Sequence, residues 1–126
     1  MPARVLIVED NPAVRDLLVE YVSLFGHEPV PAANGERGLA LAAAQPPDLV
    51  ITDVCLPGIS GLELCRRLKG APATRHVPVL LVTGIPSDVE TASVEAGADK
   101  LLGKPFNMET LRRVVGELLV PKRVGE

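Results

Sequence analysis

Short apolar runs alternate along this chain with longer stretches in which apolar residues recur every three or four positions. Val5-Leu6-Ile7-Val8, Leu49-Val50-Ile51-Thr52, Val79-Leu80-Leu81-Val82 and Lys100-Leu101-Leu102 have the length and flanking turn residues of strands. The first three are apolar on both faces, as strands are when helices cover a sheet on each side. Glu28 to Ala32 is a weaker strand carrying Pro29 and Pro31. Proline cannot donate to a ladder, so this strand belongs at a sheet edge. A helix is expected after Asn11-Pro12, a cap followed by proline at the first helical position, with Val14, Leu17, Leu18, Tyr21 and Val22 on one face and Gly26 as its stop. Further helices are expected over residues 35–45 behind Asn34 and over residues 62–68. A fourth runs from a capping box of Ser87 and Glu90 to about Ala96. The last begins after Asn107, aligns Leu111, Val114, Val115, Leu118 and Leu119, and stops before Pro121.

Strand–helix alternation of this kind predicts an α/β protein, a (βα)₅ doubly wound, flavodoxin-like, five-stranded parallel sheet. With the second strand at an edge, the strand order is 2-1-3-4-5. The 126 residues fit a single domain, 1–126, with its core over about 3–120 and a short tail over 121–126. Aromatic residues are only 2 % of the chain, so Leu, Val, Ile and Ala must build the core. That scarcity also leaves few rings for stacking on bases or on a flavin. The net charge of −3, with scattered Arg and Lys, provides no field for direct nucleic-acid binding. The longest apolar run, Leu39 to Ala44, is far too short for a bilayer, and Glu9 and Asp10 interrupt the first apolar segment as no signal peptide would. Cys55 and Cys65 lack CxxC spacing and read as reduced thiols of a cytoplasmic protein.

In such a sheet, ligands bind beyond the carboxyl ends of the strands. Strand one ends in Glu9-Asp10, strand three in Asp53, strand four in Thr83 and strand five in Lys104-Pro105. Each alone has a bland explanation as a surface loop residue; their arrival at one edge does not. Three crowded carboxylates need a compensating cation, and hard oxygen donors without imidazole or thiolate suit Mg²⁺ rather than zinc. The Cys55 backbone carbonyl, two residues past Asp53, could also reach such an ion. A carboxylate can attack phosphorus to give an aspartyl phosphate, a lysine ammonium can neutralise the transferred group, and a Thr83 hydroxyl can donate to it.

The segments Val5-Leu6-Ile7-Val8-Glu9-Asp10-Asn11, Asp53-Val54-Cys55-Leu56-Pro57-Gly58-Ile59-Ser60-Gly61, Val82-Thr83-Gly84, Gly97-Ala98-Asp99 and Gly103-Lys104-Pro105-Phe106 together resemble the receiver (CheY-like) domain of two-component response regulators. The match spans nearly the whole chain, in order. It implies that Asp53 is the phosphoacceptor and that Glu9, Asp10, Asp53 and the Cys55 carbonyl hold Mg²⁺. It likewise implies that Thr83 is the switch hydroxyl and Lys104 the phosphate-pairing lysine. Gly58 and Gly61 match the turn after the acceptor, where glycine relieves backbone strain, and Lys104-Pro105 resembles the family's cis peptide. The donor implied is a sensor histidine kinase or phosphotransfer protein docking beside the first helix; the output is a shift in the fourth helix and in the exposed face of the fifth, including Arg112, Arg113 and Glu117. Two positions depart from the pattern. Leu101 stands where the family usually has an aromatic switch residue, and Gly84 stands where it often has alanine.

Two other readings compete. A haloacid dehalogenase-type phosphatase shares the Asp, Thr or Ser, Lys and Mg²⁺ set, but it requires an acid-base Asp two residues past the nucleophile, where this chain has Cys55. A receiver-like protein-binding module that is never phosphorylated would be expected to have lost the acceptor, an acidic ligand or the lysine, and all three are present. His27 and His76 read as surface residues, and Arg66, Arg67 and Lys69 as a solvated helix face.

Overall fold

A computed structural model of the chain describes residues 2–120; the expected tail, 121–126, lies outside the described residues. Five strands, β1 (Arg4–Val8), β2 (Glu28–Ala32), β3 (Leu49–Asp53), β4 (Val79–Thr83) and β5 (Lys100–Gly103), form one parallel sheet of order β2-β1-β3-β4-β5. The helices between and after them are α1 (Pro12–Leu24), α2 (Gly35–Ala44), α3 (Gly61–Gly70), α4 (Glu90–Glu95) and α5 (Met108–Leu119). The proline-bearing β2 lies at the edge and pairs with β1 alone.

Alternation along each strand divides the core between the two faces of the sheet. Leu6, Val8, Val50, Val79 and Leu81 pack with Ala42, Leu64, Cys65, Leu68 and Ala96 under α2, α3 and α4. Val5, Ile7, Leu49, Ile51, Leu80 and Val82 pack with Leu18, Val22, Leu111, Val114 and Val115 under α1 and α5. Each fully buried Leu or Ile contributes about 1.5–3 kcal/mol, so aliphatic burial on two faces supports the fold without aromatic residues. Leu17, expected on the packed face of α1, is 45 % exposed; it instead borders an open groove beside Phe106.

The helix starts follow local side-chain chemistry. Asn11, Asn34 and Asn107 accept hydrogen bonds from first-turn amides of α1, α2 and α5. Ser60 does the same for α3 through the Glu63 amide. The expected Ser87–Glu90 capping box does not form. Ser87 lies instead in a separate 3₁₀ turn, Pro86–Asp88, and α4 starts after Val89 without a side-chain cap. Proline's fixed φ and missing N–H make Pro86 a ready first residue for that turn, which the Val89 amide closes onto the Pro86 carbonyl. Pro86 also lies so close to the end of β5 that a Cβ at Gly103 would stand 2.9 Å from its Cγ.

Candidate functional site

The carboxyl ends of β1 and β3 lie side by side, with Val8 paired to Thr52. The residues that follow therefore meet: one carboxylate oxygen each from Glu9, Asp10 and Asp53 falls within 4.8 Å of the others. Glu9 is buried, Asp53 half-buried and Asp10 exposed, so the cluster opens to solvent on the Asp10 side. Lys104 reaches in from the end of β5, its Nζ 3.0 Å from Asp53 Oδ2 and 3.3 Å from Glu9 Oε1. The Lys104–Pro105 peptide is cis.

Glu9 side-chain exposure is 3 %, against 31 % for Lys104, so burial bears mainly on the carboxylate. Burial raises the Glu9 pKa above the ordinary 4.5; the Asn11 amide and Lys104 pull it down without offsetting that rise, and Asp53 and Asp10 add to it. Burial alone would lower the Lys104 pKa, but hydrogen bonds and opposite charge from Asp53 and Glu9 outweigh it and hold the ammonium above 10.5. The site thus contains more negative charge than its one lysine neutralises.

Thr83 is buried at the end of β4, opposite Gly103, and its Oγ1 accepts the Ile85 amide at 3.3 Å. Cys55 is exposed in the loop after β3, and its amide donates to Asp53 Oδ1 at 3.2 Å. Leu101 does not join this group. Paired with Leu81 two rungs back from Thr83, it packs half-buried against the core under α2–α4. A Cβ at Gly84 would meet nothing within 4 Å, so the loop beyond Thr83 is open.

Two glycines after Asp53 serve different needs. Gly58 adopts φ +75°, the left-handed conformation expected of it. Gly61 does not have a positive φ; it is required for space, since a Cβ there would stand 2.0 Å from the Asp53 carbonyl oxygen. Sequence reasoning also missed two residues that hold the loops. Arg15 donates from one guanidinium nitrogen to the Glu9 carbonyl at 3.0 Å and toward that of Asp10 at 3.5 Å. Glu36 Oε2 accepts the Ile59 amide at 3.3 Å. Neither carries a local sequence signal, because each bonds loop backbone that only the fold brings to its helix.

A five-stranded 2-1-3-4-5 sheet with a lysine over three clustered carboxylates defines a class, and residues 5–116 match the model of the response regulator receiver domain family. The chain belongs to that family, a signalling family rather than one of metabolic enzymes. It is 37 % identical over 120 residues to protein PilH of Pseudomonas aeruginosa, covering 93 % of this chain and 98 % of PilH. It is 41 % identical over 112 residues to the transcriptional regulatory protein AfsQ1 of Streptomyces coelicolor, covering 88 % of this chain and 48 % of AfsQ1. The chain therefore spans about half the length of AfsQ1 and of other curated relatives that it matches. The solved structure of the chemotaxis response regulator CheY4 of Vibrio cholerae superposes with a TM-score of 0.89 at 30 % identity, covering 94 % of this chain and all of that one. Among the described residues, no helix is long and apolar enough to cross a membrane.

Proposed function

We propose that Asp53 accepts a phosphoryl group from a phosphohistidine on a sensor histidine kinase or phosphotransfer protein, with Mg²⁺ in the acidic pocket, in the cytoplasm. The observation that carries this reading is the meeting of Glu9, Asp10 and Asp53 within 4.8 Å, with the Lys104 ammonium 3.0 Å from Asp53. The donor set fits Mg²⁺, being oxygen-only and too anionic for one lysine to balance. Glu9, Asp10, Asp53 and the Cys55 carbonyl would hold the ion, which when bound supplies positive charge against the phosphoryl oxygens.

An Asp53 carboxylate oxygen attacks phosphorus and forms a P–O bond. The donor's P–N bond breaks, and its electron pair leaves with the imidazole. Lys104, already hydrogen-bonded to Asp53, turns to a phosphoryl oxygen. Thr83 Oγ1 accepts the Ile85 amide through a lone pair, so its own hydrogen is available for another phosphoryl oxygen. The donor would seat in the open groove of about 450 Å³ that Leu17, Tyr21, Pro105 and Phe106 border beside Lys104.

Phosphorylation adds about −1.5 to −2 charges and strong acceptor oxygens. Drawing Thr83 toward them pulls on Ile85 and on the Pro86–Asp88 turn that leads into α4. Leu101 has no ring to swing between buried and exposed positions, so the change passes through this loop and α4 to a downstream protein. Reductive trapping of an acyl phosphate tests the acceptor. After treatment with acetyl phosphate and Mg²⁺, borohydride should convert residue 53 alone to homoserine; conversion at another carboxylate, or at none, contradicts the proposal.

A further inference from the structure

Glu9 is held at every polar group it has. Its amide donates to the Ala32 carbonyl at 3.1 Å, Oε1 accepts from Lys104 and Oε2 accepts the Asn11 amide at 3.1 Å. Its carbonyl accepts from Arg15 at 3.0 Å. Of these four partners, Arg15 is the only side chain that is not itself part of the acidic pocket. The same guanidinium nitrogen lies 3.5 Å from the carbonyl of Asp10, the most exposed of the three acids. Arg15 sits in the first turn of α1, where its own amide bonds the Asn11 carbonyl. A rigid helix thus delivers a charged donor to two successive peptides of the loop.

From this geometry we infer that Arg15 is a positioning residue for the metal site: its guanidinium clamps the Glu9 and Asp10 carbonyls and so fixes where the two carboxylates point. The inference rests on the reading of the pocket as a Mg²⁺ site. Charge-assisted hydrogen bonds to a carbonyl are among the stronger ones, and the clamp acts on the backbone from which both acids hang. Loss of such outer partners typically weakens metal binding about 10- to 100-fold. The plain alternative is that Arg15 merely stabilises the start of α1, in which case metal affinity would not depend on it.

Calorimetric titration with Mg²⁺ separates the two, using wild type, Arg15→Met, Arg15→Lys and Arg75→Met. Methionine retains much of the apolar stem of Arg15; lysine keeps the charge on a compact ammonium but lacks the planar fork. Arg75, exposed and lining the opposite cavity with Pro2 and Pro78, controls for the loss of one positive charge. The expected result is about 10- to 100-fold weaker binding for Arg15→Met, partial recovery in Arg15→Lys, and wild-type affinity in Arg75→Met. In the metal-free protein, Arg15→Met should also speed hydrogen exchange at the Asn11 amide while leaving β3 and β4 protected. Wild-type affinity in Arg15→Met, or equal losses in Arg15→Met and Arg75→Met, overturns the inference while leaving the metal site intact. No Mg²⁺ binding by wild type overturns both. If Arg15→Met fails to fold, Arg15→Lys decides: unchanged affinity with unchanged Asn11 exchange overturns the clamp, and a loss in both supports it.

Discussion

Alanine at Gly61 would place a Cβ 2.0 Å from the Asp53 carbonyl oxygen and 2.9 Å from its carbonyl carbon, where ordinary contacts begin at 3.4 Å. The obstacle is backbone at the end of β3, and the Gly61 amide is bonded to the Val54 carbonyl at 2.9 Å. Neither side can yield without moving the strand end or tilting α3. Overpacking in a close-packed interior costs about 1–3 kcal/mol when side chains absorb it; with backbone on both sides we expect about 3 kcal/mol. The same substitution at Gly116, inside α5, meets nothing within 4 Å. There it removes only the entropic cost of glycine in a helix and should stabilise by about 1 kcal/mol.

Urea unfolding followed by circular dichroism measures both. With a slope of about 2 kcal/mol/M, the midpoint should fall by about 1.5 M for Gly61→Ala and rise by about 0.5 M for Gly116→Ala. Both variants remove one glycine from one helix, so unfolded-state effects largely cancel between them. Gly61→Ala within about 0.5 kcal/mol of wild type, the usual span of an inconsequential surface change, would refute the close approach between α3 and the end of β3.

Two further predictions concern ionisation. Because burial raises the Glu9 pKa in the fold, this group's contribution to stability is intact below 4.5 and is lost as pH rises through the folded-state value. Glu9→Gln should therefore unfold at higher urea than wild type in metal-free buffer at neutral pH, yet gain less from added Mg²⁺; a variant less stable than wild type without metal would contradict this. Burial likewise lifts the Cys65 thiol from 9.0 to about 11, whereas Cys55 is exposed. A thiol reagent at pH 8 should modify one cysteine in the native chain and two in urea, and two fast native thiols would count against the core under α3.

Where the information was local, the sequence disclosed it. The apolar runs named four strands, Pro29 and Pro31 named the edge, and asparagines before α1, α2 and α5 named their starts. Glu9, Asp10, Asp53, Thr83 and Lys104 were recognisable because each ends an apolar run, and a parallel sheet brings such ends together. What failed was information held in tertiary contacts. Ser87-x-x-Glu90 and Ser60-x-x-Glu63 are the same pattern on paper, but Ser60 caps a helix while Ser87 is drawn into the Pro86 turn. Gly61 looked like a turn glycine, and only the position of the Asp53 carbonyl reveals its need for space. Leu17 has the spacing of a buried residue but faces the groove beside Phe106, and Arg15 is silent until the loop folds back over it.

The central claim is that Asp53 becomes phosphorylated in a Mg²⁺-dependent way. Intact-mass analysis after treatment with acetyl phosphate tests it most directly, comparing wild type with and without Mg²⁺ and with Asp53→Asn. The account predicts the mass of one added phosphoryl group on wild type with Mg²⁺, and none without the metal or in the variant. An unmodified wild-type chain, or equal modification of Asp53→Asn, would contradict it.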